Sequence, residues 1–148
     1  MKETDQLSAL LPQESIAYAE RMNMPYLGYH LFRETLTNTL LGDSESPILY
    51  WLGKDIGVKI PIQSSAGIVL PFMRLGLGQL DIMEESELQI QYKLSHAIFH
   101  YMTDQRLSRA LSLECGIIAG AIERWRGKET TAQLLMEGKG DIRIVASH

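Results

Sequence analysis

The last third of the chain, residues 103–145, does most to limit what this sequence can fold into. It reads as one long apolar helix over residues 107–125, interrupted by glycine, and then a tight hairpin over residues 131–145. Leu107, Leu111, Glu114, Ile118, Ala121 and Trp125 recur at steps of four and three, which puts them on one helical face turned to a core. Gly116 and Gly120 stand four apart on a face of their own. Each glycine costs a helix up to about 1 kcal/mol relative to alanine, so that face predicts close approach by a strand, another helix or a ligand. Glu114 is the polar member of the apolar seam. It predicts either an ion pair, with Arg33 or Lys54 as the cation, or a polar point inside a ligand cavity. In the hairpin, residues 132–137 and 141–145 flank Gly138-Lys139-Gly140, with glycines where a turn demands them.

Upstream, residues 1–24 read as an arm that docks on a partner, or as a short helix over 14–22 started by Pro12. Tyr29, Phe32, Leu36 and Leu40 follow at three- and four-residue steps on one helical face, and Gly42 stops that helix by tolerating a left-handed backbone. Ser46-Pro47 predicts a second start, with serine as cap and proline in the first turn; Ile48, Leu52 and Ile56 carry its apolar face towards Pro61. A third helix is expected over 65–75, kinked or shortened by Pro71 and broken by Gly76 and Gly78. Residues 87–94 then alternate polar and apolar without a fault, the signature of a strand with one buried face. Leu80 and Ile82 alternate just before it, with Glu84-Glu85-Ser86 as the reversal. One-sided alternation favours antiparallel pairing under a helical layer. The expected fold is therefore α+β: residues 25–148 form a two-layer domain, with an antiparallel sheet of about four strands in two hairpins, covered on one face by helices.

Composition narrows the function classes. A chain of 148 residues fits one domain, and its net charge of −4 speaks against a nucleic-acid binder. Arg106, Arg109, Arg124, Arg126 and Lys128 read as the solvated side of a helix. Cys115, the lone cysteine, lies in an apolar run as a buried thiol and has no disulfide partner. The N-terminus lacks a signal-like apolar stretch and no window is long enough to span a membrane, so a cytoplasmic location is expected. His96 and His100 have a helical metal-pair spacing, but residue 97 is alanine where a zinc-protease motif needs glutamate. With no glycine-flanked serine and no phosphate loop at Gly76 and Gly78, neither catalysis, a metal nor a cofactor is expected. Tyr50 and Trp51 cannot share one helical face, so one of them is expected to meet a pocket or a partner.

Pro25-Tyr26-Leu27-Gly28-Tyr29, Leu41-Gly42, Ile48-Leu49-Tyr50-Trp51-Leu52-Gly53-Lys54 and Leu113-Glu114-Cys115-Gly116-Ile117-Ile118-Ala119 resemble the uncharacterised YslB-like family of Bacillus and its relatives. More distantly, residues 114–120 and 136–144 resemble the 4-vinyl-reductase domain, a fold shared with TRAPP tethering subunits and haem nitric-oxide sensors. That resemblance implies an α+β domain that encloses small apolar molecules or dimerises. It carries over no metal or haem, because the late cysteines of many vinyl-reductase domains and the Tyr-x-Ser-x-Arg haem signature are missing here. The resulting expectation is a non-enzymatic homodimeric domain enclosing a small apolar ligand or acyl chain. Tyr29, Phe32, Trp51, Phe72, Glu114, Gly116 and Gly120 are expected to line or border that site. The alternative is a scaffold that works through a protein partner without a ligand, with an enzyme third.

Overall fold

The computed structural model describes residues 4–138 and 140–148. Residues 1–3 of the expected arm and Lys139 of the second turn lie outside the described residues. Four strands form one antiparallel sheet: β1 (Gln79–Glu85), β2 (Gln89–Ser95), β3 (Thr131–Gly138) and β4 (Asp141–Ser147), in the order β1-β2-β4-β3. The two hairpins meet where Tyr92 pairs with Ile144. Ile90, Tyr92, Leu94, Ile142, Ile144 and Ala146 are buried on one face, while Gln91, Lys93 and Arg143 alternate with them on the other. The α+β class and the four-stranded sheet covered on one face are thus as expected.

The helical layer rests on α4 (Glu45–Gly57) and α7 (Ser112–Arg126). They touch backbone to backbone. A Cβ placed on Gly116 would lie 2.1 Å from the Tyr50 carbonyl oxygen, and one on Gly120 would lie 2.2 Å from that of Lys54. From the other side, Gly53 would meet the Leu113 carbonyl at 2.2 Å and Gly57 that of Ile117 at 2.1 Å. Of the ligand-lining residues, Gly116 and Gly120 are therefore corrected: they let two helices close on each other and leave no room for a ligand between them.

The long helix is interrupted. α6 (Asp104–Ala110) ends at Leu111, whose ψ of 0° separates it from α7. Ser112 Oγ donates back to the Ser108 carbonyl at 3.4 Å, a side-chain competitor that bends helices. The seam survives the bend, with Leu107, Leu111, Glu114, Ile118 and Ala121 all buried. Ser46 is not a cap. A 3₁₀ turn over Gly42–Ser44 feeds straight into α4, and Ser46 Oγ instead meets Ser112 Oγ at 2.6 Å. Pro71 does not kink its helix, because α5 (Val69–Arg74) begins two residues earlier, so the missing N–H falls in the first turn. Of the basic residues expected on the solvated side, Arg124 and Lys128 are exposed, while Arg106 is tied to Glu34 and Glu45 and Arg126 donates to the Glu87 carbonyl at 2.9 Å.

The N-terminal segment contains α1 (Gln13–Arg21) and docks on the chain's own body through buried Leu7 and Ile16. Arg74 clamps it, reaching Asp5 at 2.7 Å and Glu20 at 2.6 Å. The hydrogen bonds from Arg74 hold the Asp5 carboxyl below its usual 3.8. A depressed carboxylate stabilises above its unfolded value and loses that contribution as pH falls through its folded one. Amide protection in α1 should fall as pH drops below 3.8 while β2 and β4 keep theirs. Among the described residues no helix is long and apolar enough to cross a membrane.

Candidate functional site

Residues 26–41 form one continuous helical run: α2 (Tyr26–Leu31), a single π turn (Phe32–Leu36) and α3 (Thr37–Leu41). None of its residues is buried. Leu27, Leu31, Phe32, Leu36 and Leu40 are between 47% and 77% exposed. Leu27, Leu31, Leu36 and Leu40 stand at steps of four, five and four. A step of five is out of phase in an α-helix and in phase across one π turn, so the bulge keeps these leucines in line. A shallow groove of about 320 Å³ runs among Leu31, Phe32, Thr35, Leu36 and Thr39.

The opposite side of this run, which meets the body, is polar. The Arg33 guanidinium donates to Glu114, to the Ala110 carbonyl at 2.9 Å and to Tyr29 Oη at 3.1 Å. Arg106, reaching up from α6, donates to Glu34 at 2.9 Å, Glu45 at 2.6 Å and Asn38 at 3.3 Å. Thr37 Oγ1 also donates to Glu45, at 3.2 Å. The usual arrangement is reversed: ion pairs face inward and leucines face solvent.

Glu114 is paired with Arg33, one of the two cations expected, while Lys54 is taken by Glu123 at 3.1 Å. Burial pushes the Glu114 carboxyl above the ordinary carboxylate range, against the pull of Arg33. Beside the pair lies a cavity of about 20 Å³, bordered by Tyr26, Tyr29, His30, His96 and Phe99. Tyr26 stacks on His96 with ring centres 5.2 Å apart. His96 Nδ1 accepts from the Ile98 amide at 3.1 Å, which requires that nitrogen unprotonated, and burial lowers the pKa of the ring accordingly. That leaves His96 as a cap for a 3₁₀ turn. No cluster of three metal-ligating side chains occurs among the described residues.

The residues expected to share one site are dispersed. Tyr29 and Glu114 meet at the cavity under the 26–41 helix. Phe32 is on the outer face of that helix and Phe72 is fully buried in the core, so neither borders the cavity. Trp51 is 67% exposed in a separate groove with Tyr50, whose hydroxyl accepts from the Ala132 amide at 3.1 Å. Sequence reasoning misses Leu31, Glu34 and Glu45, places Arg106 on a solvated side and gives Leu27 no site role. Their signal is the polar set Arg33, Glu34, Thr37 and Asn38 lying opposite a leucine stripe.

Residues 26–147 match a family described as a protein of unknown function (DUF2507). The match opens at the first residue of α2 and takes in the whole 26–41 helix. The chain is 26% identical over 111 residues to the uncharacterized protein YslB of Bacillus subtilis (strain 168), covering 75% of each. Its fold is similar to the crystal structure of a vinyl-4-reductase family protein from Methanocaldococcus jannaschii, with a TM-score of 0.66 and 18% identity over 99% of this chain and 98% of that one.

Proposed function

The chain belongs to the DUF2507 family, and from that premise and the geometry of the 26–41 helix we propose that it is a non-enzymatic association domain that pairs with a second copy of itself. One observation carries the reading: a sixteen-residue helical run buries no residue and turns five large apolar side chains to solvent. Short helices draw most of their stability from packing an apolar face, so this one calls for a cover. The face offered by Leu27, Leu31, Phe32, Thr35, Leu36, Thr39 and Leu40 bears no charge. Two copies can therefore bring it together without like-charge repulsion, although the chain carries a net −4. The converging polar groups beneath the helix support an association role over catalysis, because Arg33, Glu114, Arg106 and Glu45 are engaged with one another.

Sedimentation of the wild type and of the Leu31→Asp/Leu36→Asp double variant tests this. A dimer of the variant loses four central apolar anchors, two from each copy, so at about 2 kcal/mol each the dissociation constant should rise about a millionfold. The variant should sediment as a folded monomer beside a wild-type dimer. A wild type that stays monomeric at high concentration overturns the reading.

A second reading, a domain enclosing a small ligand, is favoured by Arg33 Nε, which is buried without a hydrogen-bond partner among the described residues. The 20 Å³ cavity beside that arginine has room for about one water. An acyl chain would fit only if the 26–41 helix swung outward. Native mass spectrometry separates the readings: the first expects a dimer of apo chains, the second an adduct of constant mass lost on denaturation.

A further inference from the structure

The two edges of the sheet differ. β1 carries Asp81, Glu84 and Glu85 and a register shift between Ile82 and Glu84, features that blunt an edge against pairing. β3 holds its register from Thr131 to Met136 and has neither charge nor proline over those residues.

The Ala132 amide donates to Tyr50 Oη, so its backbone points away from β4. By the two-residue alternation of antiparallel strands, Leu134 and Met136 point the same way. The opposite side of the sheet agrees. The His148 amide donates to the Leu88 carbonyl, which turns the even-numbered residues of β4 towards β2 and the odd-numbered ones towards β3. The outward N–H and C=O groups of Leu134 and Met136 have no hydrogen-bond partner among the described residues.

Beside this edge runs an open groove of about 670 Å³ between the start of α4, the α6–α7 bend and β3. Pro47, Tyr50, Trp51 and Cys115 line it with the Ser46–Ser112 hydroxyl pair, and among the described residues no charged side chain does so. The volume is in the range of sites that take a side chain or a small ligand.

We infer that the β3 edge and this groove together bind an extended segment of another protein, added as a fifth strand. Its main chain bonds to Leu134 and Met136. Uncharged side chains at alternate positions enter the groove against Trp51, which gives selectivity where the backbone bonds give none. Tyr50, already bonded to Ala132, ends the paired stretch. The β3 strand of a second copy does not fit this role. Its side chains that would face the groove, Ala132, Leu134 and Met136, are packed against its own core, so the groove would stay empty.

A displayed library of random decapeptides, screened against the full chain, supplies the probe. Recovered peptides should alternate uncharged residues and shift the amide resonances of Leu134 and Met136. N-methylation at alternate peptide amides keeps the side chains and removes the donors, and should weaken binding at least about tenfold. Trp51→Ala should weaken it by about tenfold with the melting temperature unchanged, since that ring is exposed. The inference is overturned if no peptide is recovered, if binding ignores N-methylation, or if the shifts fall on residues 26–41 instead. In that last case the association reading stands without this one, and a monomeric wild type would leave this inference intact.

Discussion

Gly116→Ala should destabilise the protein by about 3 kcal/mol, although alanine is the better helix former. The new methyl would sit 2.1 Å from the Tyr50 carbonyl oxygen and 2.8 Å from the Lys54 amide nitrogen. Both are backbone atoms of a regular helix, so neither can rotate away as a side-chain tip would. α4 and α7 must separate along their length, and the dispersion contacts of the whole seam weaken together. Gly120→Ala meets the Lys54 carbonyl at 2.2 Å and should behave alike. Against a total stability of roughly 5–15 kcal/mol, the double variant should lose its cooperative unfolding transition. Gly28→Ala is the internal control. It is in α2 with nothing among the described residues within 4 Å of the added Cβ, so it should gain up to about 1 kcal/mol of helix propensity. Urea unfolding of the three single variants checks both signs at once.

Arg33→Met should cost about 3–5 kcal/mol, because it strands a buried carboxylate. The cost should depend on pH in a definite direction. Burial already raises the Glu114 pKa, and Arg33 is the main group opposing that rise. Without Arg33 the folded-state value climbs further above the unfolded one. A carboxyl raised in this way adds stability below its unfolded pKa and loses it as pH rises through the folded value. The variant should therefore be closest to wild type near pH 4.5 and fall steadily behind towards pH 8, in urea titrations run across that range. Arg33→Met/Glu114→Leu removes both charges and should recover most of the loss and abolish the pH dependence. A single variant with a deficit flat in pH would mean that Glu114 finds another partner.

Much of this architecture is legible in the residues. The alternation of residues 87–94 and the four-and-three seam of α7 state which faces are buried, because burial is what those periods encode. Glu114 announces a partner, since a carboxylate on an apolar stripe must be satisfied; only the structure chooses Arg33, by giving Lys54 to Glu123. The glycines carry more than was read from them. Gly53 and Gly57 repeat the four-residue spacing of Gly116 and Gly120, and the two pairs interlock.

What stays hidden is the orientation of the 26–41 helix. Amphipathicity marks two faces without saying which meets the chain's own body, and apolar-inward is the ordinary choice. Here Arg33 and Thr37 find the buried carboxylates of Glu114 and Glu45, and Glu34 and Asn38 find the partly buried Arg106, so the polar face wins the inward position. The five-residue step from Leu31 to Leu36 conceals the stripe further, because it fits a helix only through a π turn. Phe32 was expected inside for that reason and stands outside. Trp51 is separated from Tyr29 and Glu114 because the glycine contact between α4 and α7 closes the space where one shared pocket was expected.

Amide hydrogen exchange over residues 26–41, followed as a function of protein concentration, addresses the association reading most directly. A helix covered by a second copy should be protected at high concentration and exchange progressively faster on dilution, while β2 and β4 hold constant protection. Exchange in this helix that is the same at every concentration, in a protein that sediments as a monomer throughout, would contradict it.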